Sequence, residues 1–457
     1  MSIKVNISIS QMSLDEFVRI VVPEAKEREF TVEVESSDKI YVKIFENKEK
    51  VFETEVFNYP EIYQQELIAI KGAFYLFFQK KIAWGTLVGV RPTKLYRSYR
   101  DVLNFEKTDE IMRNVYFVSE VKRALLEDMY QLQSPFLEER HLNLYIGIPF
   151  CPTKCSYCSF ASYTKTGKYK ERFPEFMETL LKEVELTGRV LKNLGKKVES
   201  IYIGGGTPAI LEESELESLL EKIQNEIPSE LMEYTFEAGR TELLNEEKLN
   251  ILKKYGVDRI SLNPQTFHQK TLDSVNRVFD LEQFNAMYHL AKEKFIINMD
   301  FIMGLPGETT EDMLETLHKM REYEIENLTI HALAIKKASR LYKEAFEHEE
   351  GDTHRLSQKI YETARELELV PYYLYRQKNS IDDLENIGFS KNGKVCYFNI
   401  SMIDESDNII ALGGGGISKF NVNGQILRHI NPKDPISYIR EVEERFIQKA
   451  KMIEEME

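Results

Sequence analysis

The sequence predicts an α/β protein: a partial (β/α)6 barrel, preceded by a small α/β N-terminal domain and followed by an α+β C-terminal accessory region. Three observations carry this. From Leu142 onward, six short β-rich runs alternate with amphipathic helical stretches, the pattern of a parallel sheet with helical crossovers. Six such units are too few for the eight of a closed barrel, which makes an open one the economical reading. The chain has 457 residues, more than one hydrophobic core ordinarily serves, so two or three domains are expected.

Residues 1–135 form the first expected domain. Alternating strands (TVEVESSDKIYVKIFE) mix there with helical stretches at Tyr63–Gln79 and Glu120–Gln131, and a connector ends near Ser134-Pro135. The segment GVRPTKLYR, Gly89–Arg97, is a basic patch with a turn signal; it reads first as a solvated loop and second as a phosphate or carboxylate contact. Residues 136–340 hold the barrel. Its strands are LNLYIGI, ESIYIGG, EYTFEA, RISLN, FIINMDFIMG and NLTIHAL, with helices across Glu171–Lys192, Glu212–Asn225, Glu246–Tyr255, Leu281–Lys292 and Glu311–Tyr323. Ligand sites in such sheets lie at the carboxyl ends of the strands. Residues 341–457 continue helical to about Glu368, turn β-like through PYYLYRQK, KVCYFNISMID, IIALGGGGISKF and QILRHI, and close on a helix from Pro435. This region is expected to cover the barrel mouth.

A net charge of −15 argues against an extended nucleic-acid partner, whose phosphates favour basic surfaces. The sequence has no apolar run of membrane-spanning length, and its N-terminus lacks the pattern of a secretory signal. Only four cysteines occur, three of them within eight residues, which suits metal ligation in a reducing, cytoplasmic compartment better than a disulfide framework.

Those three are Cys151, Cys155 and Cys158, spaced C-x3-C-x2-C in IGIPFCPTKCSYCSF just past the first barrel strand. Cubane iron–sulfur clusters ordinarily take four thiolates, so three on one loop leave one iron with an exchangeable position, as a catalytic metal site requires. A zinc knuckle would need a fourth ligand, and His141, ten residues upstream across a strand, is badly placed to supply it.

This spacing, with Tyr157 before the last cysteine, resembles the radical S-adenosylmethionine (SAM) superfamily. The string from Tyr145 through I-P-F to Phe160 is similar to its branch around oxygen-independent coproporphyrinogen III dehydrogenase, which also contains haem chaperones. GVRPTKL, and the stretch from PYYLYRQKN to LGGGGISK, look like the longer Z-type members with an extra N-terminal domain. The resemblance implies a [4Fe–4S] cluster on the three cysteines and SAM on its open iron. It implies radical chemistry initiated by reductive SAM cleavage, a tetrapyrrole substrate (coproporphyrinogen III or haem), and an electron donor such as flavodoxin or ferredoxin.

By the same resemblance, SAM contacts fall at the strand ends: Tyr145 on the first, Tyr157 on the cysteine loop, and Gly205, Gly206 and Thr207 in the GGGTP turn. Glu237, Gln265, Arg277 and Asp300 complete the set. Three of these have a plainer alternative: a strand-to-helix turn for GGGTP, a surface pair with Arg240 for Glu237, a solvated arginine for Arg277. Asp300 lies in an apolar run, where a carboxylate is costly unless paired or hydrogen-bonded. GLPGE, Gly304–Glu308, is a turn that also resembles the branch.

Two departures concern the substrate. True dehydrogenases of the branch carry a further cysteine two positions after the third, where this chain has Phe160, as haem-chaperone relatives also do. The H-N-x-x-Y-W signature of those chaperones is absent as well, and Cys396 in the corresponding stretch reads as a small buried hydrophobe. Oxidative decarboxylation of coproporphyrinogen III propionates is the leading expectation. Haem trafficking is the second, and haem methylation or ring opening the third. Arg376, Lys378 and Lys419, with Tyr372, Tyr373 and Tyr375, are candidates for holding substrate carboxylates and rings.

Overall fold

The alternation of apolar and polar residues in the first sheet forces one face inward. The computed structural model describes residues 2–59, 61–344, 346, 351–377, 380 and 384–457, without the side chains of Ser2 and Phe57. They fall into two compact units, Met1–Leu132 and Gln133–Glu457. In the first, strands β1 (Ser2–Val5), β2 (Glu29–Ser36), β3 (Lys39–Glu46) and β4 (Glu49–Phe57) lie in that order, β1 parallel to β2 and the rest antiparallel. Phe30, Val32 and Val34 of β2, and Ile40, Val42 and Ile44 of β3, are buried at every second position. The helix Gln11–Val21, capped by Ser10, turns Leu14, Phe17, Val18 and Val21 to the same core, and Phe74 of helix Gln65–Phe77 meets Phe30 edge-on at 5.3 Å.

GVRPTKLYR corrects one expectation. Only its first residues are a loop, because Pro92–Arg100 is an α-helix that buries Thr93, Tyr96 and Tyr99. A proline serves a turn and a first helical turn equally well, since its missing N–H is unpaired in both settings. Here the hydrogen bonds of Tyr96 and Arg100 to Glu127 fix the helix, at 2.7 and 2.9 Å.

The second unit is organised by an eleven-stranded sheet. Its strands are β5 (Leu142–Ile148), β8 (Val198–Gly205), β9 (Ser229–Gly239), β10 (Arg259–Leu262), β11 (Ile296–Met303), β12 (Asn327–Ala332), β13 (Val370–Tyr375), β14 (Asn386–Ser390), β15 (Asn408–Gly413), β16 (Ile417–Val422) and β17 (Gln425–Ile430). The two-residue strands β6 (Phe150–Cys151) and β7 (Tyr163–Thr164) pair separately. The spatial order is β13-β14-β12-β11-β10-β9-β8-β5-β15-β16-β17, and β5, β8, β9, β10, β11 and β12 run parallel as the six expected strands.

Residues beyond 341 extend both edges of this sheet rather than forming a body apart from it. β14 joins β12 antiparallel, and β15 joins β5 parallel, with Gly413 opposite Gly147. Every residue of β15 is buried, and its IIAL run suits a strand covered on both faces. An uncovered edge on β5 would otherwise expose a row of backbone donors and acceptors. KVCYFNISMID, expected to be β-like, contains the helix Tyr397–Asp404; its buried residues Tyr397, Phe398, Ile400, Ser401 and Asp404 follow a helical period.

The last helix, Pro435–Glu455, is fastened by a wholly buried ion pair. Lys449 Nζ donates to Glu183 Oε1 at 2.5 Å and to the Ala411 carbonyl at 2.7 Å. The other Glu183 oxygen accepts from Tyr438 Oη and from the Gly413 N–H, at 2.6 and 2.8 Å. Burying two charges is tolerable only when their remaining valences are met in this way.

Candidate active site

At the carboxyl ends of the parallel strands lies a cavity of about 480 Å³, and all twelve site residues singled out in the sequence line it. The loop after β5 brings the cysteines there. Cys151, Cys155 and Cys158 form no disulfide. The Thr207 hydroxyl donates to Cys151 Sγ, and the Arg240 guanidinium to Cys155 Sγ, both at 3.3 Å. Burial pushes the Cys151 thiol up against the opposing pull of Thr207, and it pushes Cys158 up to about 11. Three clustered thiols, two of them receiving hydrogen bonds, are suited to a soft metal centre that displaces their protons on binding.

The GGGTP turn sits close against that loop. The Gly206 N–H donates to the Ile148 carbonyl at 2.8 Å and the Thr207 N–H to the Phe150 carbonyl at 2.7 Å. A Cβ on Gly206 would lie 2.5 Å from the Phe150 oxygen, so only glycine lets the two segments meet.

Glu237, at the end of β9, makes no pair with Arg240, which instead binds Glu242 at 3.0 Å and the Thr153 hydroxyl at 3.0 Å. Burial first, then the neighbouring Asp300, raises the Glu237 carboxyl to about 8, against the lowering effect of the Gly205 N–H and the Tyr202 hydroxyl. Asp300 accepts from the Asn298 and Asn263 side-chain amides, each at 2.8 Å, which meets the cost of its placement in an apolar strand. Gln265 holds a left-handed backbone, φ 71°, fixed by hydrogen bonds to the Asp300 carbonyl and from the Ile302 N–H, at 3.0 and 2.8 Å. Its buried Oε1 has no partner. A non-glycine residue held in this region, with an unpaired polar atom on the wall of a cavity, is the arrangement of a ligand site.

Arg277 is buried rather than solvated: its Nη2 donates to the Gly239 carbonyl at 2.9 Å and to the Asn263 carbonyl, beside Cys155 and Tyr157, and its Nε is unpartnered. Burial pushes the Tyr145 and Tyr157 hydroxyls well up. Tyr145 and Tyr202 on the cavity wall stack with the buried Phe398, Tyr202 and Phe398 4.7 Å apart.

Sequence reasoning missed Tyr202, Asn263, Asn298 and His331, all on the cavity wall. The signal was the strand period: Asn298 precedes Asp300, and Asn263 precedes Gln265, by two positions. Of the C-terminal candidates, Tyr373 and Tyr375 line the cavity, whereas Tyr372 is turned away and accepts from Asn399 Nδ2 at 3.0 Å. Lys419 pairs with Glu405 at 3.2 Å, and neither it nor Arg376 is on the wall. Lys378 lies outside the described residues. Cys396 is buried, its Sγ 3.4 Å from Glu233 Oε1, and burial pushes it well up. Among the described residues, His268, Asp312 and Glu315 also lie within metal-binding reach of one another. His268 Nε2 is already 2.7 Å from the Asp312 carbonyl and the Asp312 carboxylate caps a helix with Thr309, so that group is accounted for locally. No described helix is long and apolar enough to cross a membrane.

A parallel sheet with three thiols on its first loop and polar strand ends around one cavity defines a radical SAM core, and the Radical SAM superfamily model matches residues 145–320. The chain is 36% identical to the oxygen-independent coproporphyrinogen-III oxidase-like protein HemZ of Bacillus subtilis, over 82% of this chain and 77% of that one. It is 28% identical to the haem chaperone HemW of Buchnera aphidicola subsp. Schizaphis graminum, over 64% of this chain and 78% of that one. The coproporphyrinogen III oxidase HemN of Escherichia coli shares the fold, with a TM-score of 0.54 at 19% identity over 70% of this chain and 78% of that one. The chain therefore belongs to the coproporphyrinogen-III-oxidase-like branch of the radical SAM superfamily. The cofactors of this class are a [4Fe–4S] cluster and SAM, and the thiols, the unpartnered Arg277 Nε and the unpartnered Gln265 Oε1 fit both.

Proposed function

We propose that the chain catalyses oxidative decarboxylation of coproporphyrinogen III propionates to vinyl groups. Cys151, Cys155 and Cys158 hold the cluster in this reading, and Tyr145, Tyr157, Gly205, Gly206, Thr207, Glu237, Gln265, Arg277 and Asp300 surround SAM. When bound, the cluster and SAM would supply the one-electron chemistry by which a propionate loses a β-hydrogen and CO2 to become a vinyl, with one electron passing to an external one-electron acceptor. The residues of the chain hold and orient. Arg277 is fixed by backbone carbonyls with Nε left for a carboxylate, and Asp300 is fixed by two amides, ready to accept from ligand hydroxyl or amino groups. Tyr145 and Tyr202, backed by Phe398, present aromatic faces on one side of the cavity.

The observation carrying this reading is the gathering of three thiols and the strand-end polar groups around one cavity, in a chain related to a coproporphyrinogen oxidase-like protein. The test is an anaerobic assay of reconstituted protein with SAM, a reductant and coproporphyrinogen III, read by mass spectrometry. Mono- and divinyl products together with 5′-deoxyadenosine are expected. 5′-Deoxyadenosine without porphyrin change would end the decarboxylase reading. Phe160 favours a second one, haem trafficking: it stands where a fourth cysteine marks the dehydrogenases, and it lies exposed on the cavity wall.

A further inference from the structure

Three neighbouring strands place His331 (β12), Asn386 (β14) and Tyr375 (β13) in a row. Tyr375 is the cross-strand partner of Asn386, and His331 lies one step beyond the Ile330–Ile387 pair. His331 and Tyr375 line the cavity, while Asn386 is wholly buried behind them. The cofactor-binding residues proposed above make no use of this row.

Its hydrogen bonds orient the imidazole. Asn386 Oδ1 accepts from the Ala332 N–H at 3.3 Å, and Asn386 Nδ2 donates to the Tyr375 carbonyl at 3.5 Å. A backbone N–H can only donate and a carbonyl can only accept, so the two ends of the amide cannot be exchanged. His331 Nδ1 lies 3.3 Å from that same Oδ1 and 3.3 Å from Tyr375 Oη. Asn386 Oδ1 can only accept, while Tyr375 Oη, which accepts from Gln377 Nε2 at 3.4 Å, can also donate. In the tautomer that pairs with Asn386, Nδ1 carries the hydrogen and Nε2 of the neutral ring keeps its lone pair. No hydrogen bond to Nε2 occurs among the described residues, and it is not enclosed. A half-buried imidazole oriented through Nδ1–H by an amide oxygen, with Nε2 open to a cavity, is the arrangement that binds an electron-poor centre.

We propose that His331 Nε2 engages the centre of the tetrapyrrole, an inference that rests on the tetrapyrrole reading above. The lone pair serves two sources of that chemistry: the iron of a metallated macrocycle, which it coordinates, and the inner N–H groups of a metal-free one, from which it accepts.

The test titrates the full chain, reconstituted with its cluster, with haemin and separately with metal-free coproporphyrin III. Wild type, His331→Phe and His331→Ala are compared by absorbance, with circular dichroism as the check on folding. His331→Phe keeps a ring of similar bulk, and His331→Ala leaves room for added imidazole. If iron is the source, wild type gives the Soret band of nitrogen-ligated haem, both variants lose it, and imidazole restores it in His331→Ala. If the metal-free ring is the source, coproporphyrin binds at least tenfold more weakly to both variants while haemin shows no nitrogen ligation. Equal binding of both compounds by all three proteins overturns the role of His331 and leaves the tetrapyrrole reading standing. Binding of neither by wild type removes that reading, and this inference with it.

Discussion

Asp300 on β11 and Asn263, just past the end of β10, hold each other reciprocally. Asn263 Nδ2 donates to Asp300 Oδ2 at 2.8 Å, and the Asp300 N–H donates to Asn263 Oδ1 at 3.2 Å. The carboxylate is thereby fixed in orientation before any ligand arrives. Replacing it with an amide that cannot accept at both oxygens should weaken SAM binding about tenfold, the worth of one charge-assisted hydrogen bond. Equilibrium dialysis of Asp300→Asn measures this, and unchanged affinity would take Asp300 out of the SAM contacts.

Cys155→Ser is expected to abolish the cluster while leaving the fold intact, because Cys155 lies in a loop and its Sγ is held only by side chains such as Arg240. Iron and sulfide content and the sulfur-to-iron absorbance should fall together, with the far-ultraviolet circular dichroism unchanged. A variant that retains a full cluster would overturn the ligand set.

Glu308 ends the GLPGE turn and accepts from Thr266 Oγ1 at 2.5 Å; burial raises its carboxyl from 4.5 to about 7. Because the folded value lies above the unfolded one, the folded state binds more protons between those values. Stability is therefore lost as pH rises through this window, by about 3 kcal/mol in all. Glu308→Gln should keep the Thr266 contact and flatten the loss. Urea midpoints at about pH 5 and about pH 8 give the comparison, and identical slopes for both proteins would refute it.

The Lys449–Glu183 pair predicts a non-additive pair of mutations. Lys449→Met leaves the buried Glu183 charge without its cation and should cost about 3–5 kcal/mol. Adding Glu183→Gln, whose amide can still meet Tyr438, should recover part of that loss. Denaturant unfolding of the single and double variants decides it, and simple additivity would mean the ion pair carries no coupling.

The barrel was legible because its strands are apolar, short and separated by helices of amphipathic period, and because the cysteine spacing is rare by chance. The polar strand ends could be read only with the resemblance in hand, since nothing in the period distinguishes Glu237 from a surface carboxylate. What stayed hidden depends on tertiary neighbours. The helix Tyr397–Asp404 carries aromatic and β-branched residues that suit a strand, and packing overrides that preference. β15 looks like any apolar run until β5 offers an edge. The orientation of His331 depends on Asn386, fifty-five residues away in sequence.

β5, which leads directly into the cysteine loop, lies between β8 and β15. The His141–Asp407 contact at the edge of the β5–β15 pairing joins residues 266 apart. During synthesis at ~5–20 residues per second, the edge of β5 facing β15 stays unpaired for on the order of ten to fifty seconds after β5 leaves the ribosome. Throughout that interval the nascent cysteines belong to an unfinished sheet. The cysteines thus emerge well before the strand that closes the sheet beside them, and the interval becomes a property written into strand order.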